Sequence, residues 1–182
     1  MTARLVLQSA DITRALTRIS HEILESNRGA SDLVLLGIPT RGVVLARRLG
    51  LILDSIEPGS VQVGFLDVTM YRDDLSRNPT RAPGPTQIPA GGIDGKTVVL
   101  VDDVLYSGRT IRSALDALND IGRPRAVRLA ALVDRGHREL PIRADFVGKN
   151  LPTAASERIN VRLVEVDGAD EVTIEESKGN ES

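Results

Sequence analysis

The chain has 182 residues, no cysteine, two histidines and a formal net charge of −2, and 41% of its residues are hydrophobic while only 2% are aromatic. This composition suits one domain with an aliphatic core and excludes disulfides and thiolate metal sites, and the slight negative charge argues against unspecific coating of nucleic acid but allows a local basic patch. No stretch approaches the length of a membrane span and the first residues lack the apolar core of a signal peptide, so we expect a cytoplasmic protein with no membrane partner.

Helices and strands alternate along the chain. Apolar residues at helical spacing predict a first helix over residues 11–27, with Asp11 as its N-cap. Apolar runs of strand length then alternate with amphipathic segments. They predict strands at 32–38, 61–69, 97–101, 126–133 and 159–166 and helices at 42–53 and 107–121. This order is typical of an α/β domain with a mostly parallel sheet flanked by helices.

Two segments lack such a pattern. Residues 71–92 contain four prolines and three glycines, and a loop of this length inside a compact domain is usually a lid or disordered. The tail from Glu171 is polar and acidic, and we expect it to fray.

The most informative stretch is VVLVDDVLYSGRTIRSA, residues 98–114. An apolar strand leads into Asp102 and Asp103, a short loop follows, and a helix begins near Gly108. Ligands of open parallel sheets collect at the carboxyl ends of strands, and a helix N-terminus there offers N–H groups to a phosphate. Two adjacent acids would be stabilised by diol hydroxyls or a divalent ion. The pattern therefore favours a phosphorylated pentose as ligand.

Each of these features is common without any function. Adjacent carboxylates are usually solvated, and a serine or threonine at a helix start is usually only a cap. The sequence also lacks the glycine-rich signatures of P-loop NTPases and dinucleotide-binding folds and the nucleophile elbow of serine hydrolases, so these three classes lose their usual support.

The segment VVLVDDVLYSGRT resembles the motif with which type I phosphoribosyltransferases bind 5-phosphoribosyl-1-pyrophosphate (PRPP). GIPTRG (residues 37–42) resembles the pyrophosphate loop of that family, and DVTMYRDDL (67–75) resembles the base of its lid. DRGHRELPIRADFVGKN (134–150) is similar to the hood of one branch, the bifunctional pyrimidine operon regulators with uracil phosphoribosyltransferase activity. With ALTRISHEI (15–23), the resemblance spans about residues 11–172.

The resemblance implies a type I phosphoribosyltransferase fold in a single domain over residues 1–182. It implies a hood at about 134–160 joined by the N-terminal segment, a flexible lid at about 70–92 and a frayed tail at about 175–182. The implied reaction converts uracil and PRPP to UMP and pyrophosphate, with Mg²⁺ carried by PRPP. Asp102 and Asp103 are candidate neighbours of that ion, and no side chain is assigned as its ligand.

The implied site residues fall into two sets. The catalytic candidates are Arg41, Arg72 in the closed lid, Asp102 and Asp103. The candidate contacts to PRPP or nucleotide are Thr40, Arg41, Gly42, Asp102, Asp103, Val104, Leu105, Tyr106, Ser107, Gly108, Arg109, Thr110 and Arg135, the last of which would shape the base pocket.

The first predicted helix also carries a basic face, because Arg14, Arg18 and His21 follow at spacings of four and three. Such a face is most often only solvated, and the scarcity of aromatic residues counts against base stacking. The resemblance nevertheless implies UMP-dependent binding to the 5′ leader mRNA of pyrimidine biosynthesis genes. The implied RNA contacts are Thr17, Arg18 and His21, with Arg138 and Lys149 as weaker candidates. A homodimer or higher homo-oligomer would concentrate this charge.

Two alternatives are compatible with the same residues. The first is a salvage phosphoribosyltransferase without an RNA-binding role, including one for a purine base. The second is a non-catalytic regulator that uses the fold to sense nucleotides. The presence of Arg41, Arg72 and the acid pair argues against the second alternative, because a sensor needs no lid arginine.

Overall fold

The computed structural model describes residues 3–59, 61–71 and 86–176, without the side chain of Met70. Its elements in chain order are β1 (Arg4–Gln8), α1 (Ser9–Asn27), β2 (Leu33–Gly37), α2 (Arg41–Ile56), β3 (Gln62–Phe65), a 3-10 turn (Thr69–Tyr71), β4 (Thr97–Leu105), α3 (Arg109–Ile121), β5 (Ala126–Asp134), β6 (Phe146–Asn150), β7 (Glu157–Arg162), α4 (Val164–Asp167) and β8 (Glu171–Glu176).

The main sheet has five parallel strands in the order β3-β2-β4-β5-β6. Its central strand β4 is buried on both faces because alternate side chains point to opposite sides. Val99 and Val101 pack with α1 and α2, whereas Val98 and Leu100 pack with α3. The described structure therefore confirms the predicted α/β class with helices on both faces of a parallel sheet.

A second, antiparallel sheet has the order β1-β8-β7. Its apolar residues Ile159, Val161, Val172 and Ile174 belong to the same core cluster as α1 and α2. We call these three strands, together with α4, the hood sheet. It packs on the side of the molecule that also carries the two N-terminal helices.

The predicted tail and hood bounds need correction. Residues Glu171–Glu176 do not fray, since β8 pairs along its length with β7 and buries Val172 and Ile174 between its acidic residues. Residues 177–182 of the predicted tail lie outside the described residues. An ion pair of 3.0 Å between Arg162 and Glu171 adds a cross-strand contact. The predicted hood range 134–160 coincides with the hood sheet only in part, because Phe146–Asn150 pairs with β5 in the main sheet.

Several element ends also differ from the predictions. Helix α1 begins at Ser9, and Asp11 is not its N-cap but accepts the backbone N–H of Gln8 at 2.8 Å from the third helical position. This backbone bond is the main reason why the pKa of Asp11 lies below its usual value. Strand β3 ends at Phe65, and the predicted strand 159–166 ends at Arg162. The sequence analysis predicted neither β1 nor β6.

Candidate active site

Strand β4 continues through the acid pair and does not end before it. Asp102 is in register with Ala131 of β5, and the pairing runs on to Leu105 opposite Asp134. The backbone N–H of Arg135 then donates to the carbonyl oxygen of Leu105 at 3.1 Å. The strand was predicted to end at Val101, but the ladder with β5 extends it and holds both acids on rigid backbone.

The two acids have different environments. Asp102 is only 8% exposed and accepts the backbone N–H of Asp103 at 2.9 Å. Burial, followed by the neighbouring charge of Asp103, raises the pKa of Asp102 well above its usual value. Asp103 is half-buried and lines a cavity of about 610 Å³. The expectation that both carboxylates bind ribose hydroxyls as anions is therefore supported better for Asp103 than for Asp102.

The predicted pyrophosphate loop, residues 37–42, lies directly beside this strand. The N–H of Ile38 donates to the carbonyl oxygen of Val101 at 2.9 Å, and the peptide between Pro39 and Thr40 is cis. A Cβ atom on Gly37 would lie 2.5 Å from the carbonyl oxygen of Gly42. A Cβ atom on Gly42 would overlap the carbonyl oxygen of Val101. Only glycine fits at these two positions, so the loop touches β4 with its backbone.

Arg41 is the first residue of α2 and lines the same cavity as Asp103. Its guanidinium donates from Nε and Nη2 to the two carboxylate oxygens of Asp167, at 3.0 and 2.7 Å. This pair, more than the nearby charge of Asp103, raises the pKa of Arg41 and holds the pKa of Asp167 below its usual value. Arg41 is predicted from the sequence, whereas its partner Asp167 is not.

The predicted phosphate-binding turn joins β4 to α3. Gly108 has a φ of 92° and precedes the first residue of this 13-residue helix, and the N–H of Arg109 donates to Ser107 Oγ at 3.2 Å. The carbonyl oxygen of Ser107 accepts the N–H groups of Glu139 and Leu140 at 2.9 and 3.2 Å. The turn is thus held from outside by the segment that follows β5.

Two predicted arginines stabilise this segment. Arg138 donates to Asp134 Oδ2 at 2.6 Å and to the carbonyl oxygens of Tyr106 and Ile142 at 2.8 and 2.7 Å. Its guanidinium is therefore mostly engaged inside the protein, which weakens it as an RNA contact.

Arg135 also has an internal role. Its guanidinium carbon lies 4.3 Å from the ring centroid of Tyr106, and the group donates to Thr153, Ala154 and Glu157. Arg135 lines a cavity of about 380 Å³ between residues 134–138 and 150–153. It can shape a pocket wall, but its donors are directed to the protein.

The base of the predicted lid is attached at both ends. Tyr71 donates through its hydroxyl to Asp120 of α3, and its carbonyl oxygen accepts Ser113 Oγ at 3.1 Å. Gln87 exchanges backbone hydrogen bonds of 2.8 and 3.0 Å with Phe65 at the end of β3. Arg72, the predicted lid arginine, lies outside the described residues.

The RNA candidates lie on the outer side of α1 and at the edge strand β6. Thr17, Arg18, His21 and Lys149 are exposed. Arg18 donates to the carbonyl oxygens of Val147 and Gly148 at 2.8 and 2.6 Å, and it therefore also attaches α1 to β6. The structure places these candidates on a face distinct from the cavity that Arg41 and Asp103 line.

A family model described as the phosphoribosyl transferase domain matches residues 6–164. The chain belongs to the phosphoribosyltransferase family. A relative named bifunctional protein PyrR, from Leifsonia xyli subsp. xyli, is 76% identical over 181 residues, which cover 97% of this chain and 98% of the relative. A protein of the same name from Streptomyces coelicolor is 67% identical over 172 residues, with 94% and 89% covered.

Solved structures of phosphoribosyltransferases share the fold. A mutant hypoxanthine phosphoribosyltransferase from Trypanosoma cruzi, in a ternary complex with substrates, matches with a TM-score of 0.74 over 94% of both chains, at 17% identity. A hypoxanthine-guanine phosphoribosyltransferase from Bacillus anthracis matches with a TM-score of 0.69 at 16% identity, over 97% of this chain and 99% of that one. The comparisons confirm the predicted family, branch and fold class, while the roles of individual site residues stay predictions.

The first prediction concerns the contact between the pyrophosphate loop and β4. In Gly42→Ala the new methyl group meets the carbonyl oxygen of Val101, so the loop must shift. We expect the KM for PRPP to rise at least about tenfold, roughly 1.4 kcal/mol of lost binding, in steady-state assays.

Gly50→Ala on the same helix is the matched control. A methyl group there meets the side chain of Val63 and not the loop. It should lower thermal stability while leaving the KM for PRPP unchanged. Equal KM values for Gly42→Ala and the unsubstituted protein would show that the loop position does not matter for PRPP.

The second prediction concerns the buried acid Asp102. Its folded pKa lies above the value of about 3.9 for an unfolded aspartate, so the native state keeps a proton that the unfolded state releases. The free energy of unfolding of the ligand-free protein should therefore fall as the pH rises from about 4 toward the raised pKa. Asp102→Asn should lack this fall and be more stable than the unsubstituted protein at pH 7.

Thermal unfolding of both proteins between pH 4 and 8 checks this expectation. The two stability curves should approach each other at the acidic end, where the unfolded state also begins to bind a proton at Asp102. Parallel curves over the whole range would mean that Asp102 titrates normally in the folded protein.

Proposed function

We propose that this protein is a uracil phosphoribosyltransferase, forming UMP and pyrophosphate from uracil and PRPP, and that it also binds the 5′ leader mRNA of pyrimidine biosynthesis genes. The enzymatic proposal rests on one observation, which is that three segments lie together at one edge of the main sheet. These are the acid pair on β4, the glycine-packed loop 37–42 and the turn before α3. Full-length likeness to bifunctional PyrR proteins supports the assignment within the family.

Each part has a chemical task in this proposal. The N–H groups at the start of α3, with the hydroxyls of Ser107 and Thr110, bind the 5′-phosphate of PRPP. Asp103 accepts hydrogen bonds from the ribose hydroxyls, and its charge favours the positive charge that develops on the sugar ring. Arg41 and the backbone of residues 40–42 hold the pyrophosphate and so orient the bond that breaks.

Mg²⁺ fits this site as an ion carried by the substrate. Phosphoribosyltransferases generally use Mg²⁺ with PRPP, and the described residues contain no cluster of three side chains that could hold a metal by themselves. Asp103, which lines the cavity, would be the carboxylate beside the ion, and PRPP oxygens and water would supply its other ligands. When bound, Mg²⁺ stabilises the negative charge of the leaving pyrophosphate.

We further propose that the lid closes over PRPP and excludes water, which would otherwise compete with uracil for the sugar. The anchoring of Tyr71 to α3 and of Gln87 to β3 supports this, because both ends of the lid start from fixed points. The role of Arg72 in the closed lid, a cytoplasmic location and a homodimeric or higher assembly remain predictions.

The third prediction tests the enzymatic role of Asp103. Asp103→Asn should lower kcat for uracil at least about tenfold, roughly 1.4 kcal/mol of transition-state stabilisation, without changing the circular dichroism spectrum. Steady-state turnover of uracil with PRPP and Mg²⁺ gives the comparison. Unaltered kinetics would remove Asp103 from the site.

A panel of bases on the unsubstituted protein separates the main proposal from purine salvage. Uracil should be converted, and hypoxanthine and guanine should not be. The reverse result would assign the chain to purine salvage, and turnover of no base would leave only the nucleotide-sensing alternative.

The proposed RNA surface is the outer face of α1 with Lys149 of β6. The C-terminal end of α1 lines a cavity of about 320 Å³, and the lining includes Arg28, Arg125 and Arg128. No aspartate or glutamate lines that cavity among the described residues. Cations without acidic neighbours attract the phosphates of RNA, and such binding weakens as salt is added.

The fourth prediction tests this surface with His21→Ala. His21 is a better choice than Arg18, whose loss would also detach α1 from β6. With leader RNA from the same organism and UMP present, we expect His21→Ala to weaken RNA binding roughly tenfold, or about 1.4 kcal/mol, in a filter-binding assay. Uracil turnover should not change.

Arg47→Ala, which removes an exposed cation from α2, is the control and should bind RNA like the unsubstituted protein. Equal weakening by both substitutions would indicate that only overall charge matters. If the unsubstituted protein with UMP retains no RNA even at low salt, the protein is an enzyme alone.

A further inference from the structure

Two arginines of helix α2 attach the hood sheet to the main sheet through two parallel contacts. Arg41 binds Asp167 through two hydrogen bonds of 3.0 and 2.7 Å. Seven residues further along the helix, Arg48 binds Asp170 through two hydrogen bonds of 2.8 Å each. The spacing of seven places both guanidinium groups on one face of α2, roughly 10 Å apart along its axis.

The two acids are held in the same way on the hood side. Asp167 accepts the backbone N–H of Leu163 at 2.9 Å, and Asp170 accepts that of Val164 at 2.7 Å. Their side chains are 15% and 13% exposed. Each acid is therefore fixed by the turn around α4 and receives an arginine from the main body.

Only the first of these contacts reaches the candidate active site. Arg41 follows the cis peptide segment of the pyrophosphate loop and lines the cavity with Asp103 and Asp167. Arg48 and Asp170 do not line that cavity within the described part of the chain. The Arg48–Asp170 contact therefore matches the Arg41–Asp167 contact in its paired hydrogen bonds but lies outside the cavity. Arg48 differs from Arg41 in that it also donates to Glu165, at 2.8 to 3.2 Å.

We propose that Asp167, a residue of the hood, is a positioning residue that orients Arg41 for PRPP. A bidentate carboxylate fixes both the place and the plane of a guanidinium, whereas a free arginine samples many rotamers. The contact uses Nε and one hydrogen of Nη2, which leaves both hydrogens of Nη1 and the second of Nη2 for pyrophosphate oxygens. Asp167 therefore prepares Arg41 without exhausting its donors.

This role is compatible with the electrostatics. The hydrogen bonds from Arg41 and from the backbone N–H of Leu163 hold the pKa of Asp167 below its usual value. Asp167 is therefore an anion at neutral pH. A cation held by one carboxylate attracts a pyrophosphate less than a free cation does, but it loses less side-chain entropy when the ligand binds. The net gain comes from the fixed orientation and not from added charge.

The fifth prediction rests on the proposed function, since it assumes that Arg41 binds pyrophosphate. In Asp167→Asn one of the two acceptor oxygens becomes an NH2 donor, which cannot accept a hydrogen bond from the guanidinium, so Arg41 loses its bidentate contact and its fixed orientation. We expect the KM for PRPP to rise roughly tenfold while the KM for uracil and kcat stay within about twofold. The matched variant Asp170→Asn removes the equivalent contact of Arg48 and should leave all three constants within about twofold.

Thermal unfolding of both variants distinguishes positioning from stability. Both melting temperatures should fall, because each variant weakens one arginine contact and one backbone hydrogen bond. The fall in Asp170→Asn should be no larger than that in Asp167→Asn, because Arg48 keeps its contact with Glu165. A rise in KM shared by Asp170→Asn would overturn the proposal and assign the effect to the docking of the hood. An unchanged KM for PRPP in Asp167→Asn would overturn it as well.

A double substitution shows whether Asp167 acts through Arg41. If it does, Arg41→Ala and the combination of Arg41→Ala with Asp167→Asn should have the same KM for PRPP, so the effects are not additive. Additive effects would mean that Asp167 acts independently of Arg41. That result would overturn this inference but not the proposed function. An Arg41→Ala variant with an unchanged KM would remove the pyrophosphate role of Arg41 and with it this inference.

Discussion

The architecture of the candidate site depends on the close approach of the pyrophosphate loop to strand β4. The backbone of Gly42 reaches the carbonyl oxygen of Val101, and a side chain at this position has no space. This contact starts helix α2 beside the acid pair, so that Arg41 and Asp103 line one cavity. The distance between Arg41, the proposed pyrophosphate-binding group, and Asp103, the proposed ribose-binding group, is thereby set by backbone packing. Such packing resists deformation better than contacts between long side chains do.

The same strand contains a buried acid, and ionising it costs free energy. Asp102 is surrounded by protein, and its raised pKa means that ionising it at neutral pH opposes folding. Asp103, one residue further, is half-buried and open to the cavity. Because successive strand residues face opposite sides of a sheet, two adjacent acids cannot share one environment. Their different exposure supports different tasks, with Asp103 toward the ligand and Asp102 within the framework of the strand.

Much of the fold and part of the site could be predicted from sequence. The buried strands read as apolar runs, and the segment from Val98 to Ala114 located the acid pair and the helix start. The hood was harder, because β8 mixes acidic residues with Val172 and Ile174, and its order depends on pairing with β7. Asp167 could not be predicted as a partner of Arg41, since the two residues are 126 positions apart and only the tertiary fold joins them. The local sequence shows only that two acids, Asp167 and Asp170, lie close to Gly168.

Two sets of basic side chains in this chain have different physical consequences. Arg135 and Arg138 direct most of their donors to protein acceptors around the site, and Arg41 directs two of its five to Asp167. These contacts fix geometry where a small substrate must be oriented within a fraction of an ångström. In the part of the chain that the structure describes, the side chains of His21 and Arg28 make no hydrogen bond and lie on the outer face of α1 or at its end. Binding a polyanion requires charge density more than fixed orientation, because released counterions supply most of the affinity. Arginines of fixed orientation at the sheet edge and exposed basic side chains along α1 therefore suit the proposed enzyme and the proposed RNA surface in one chain whose net charge is slightly negative.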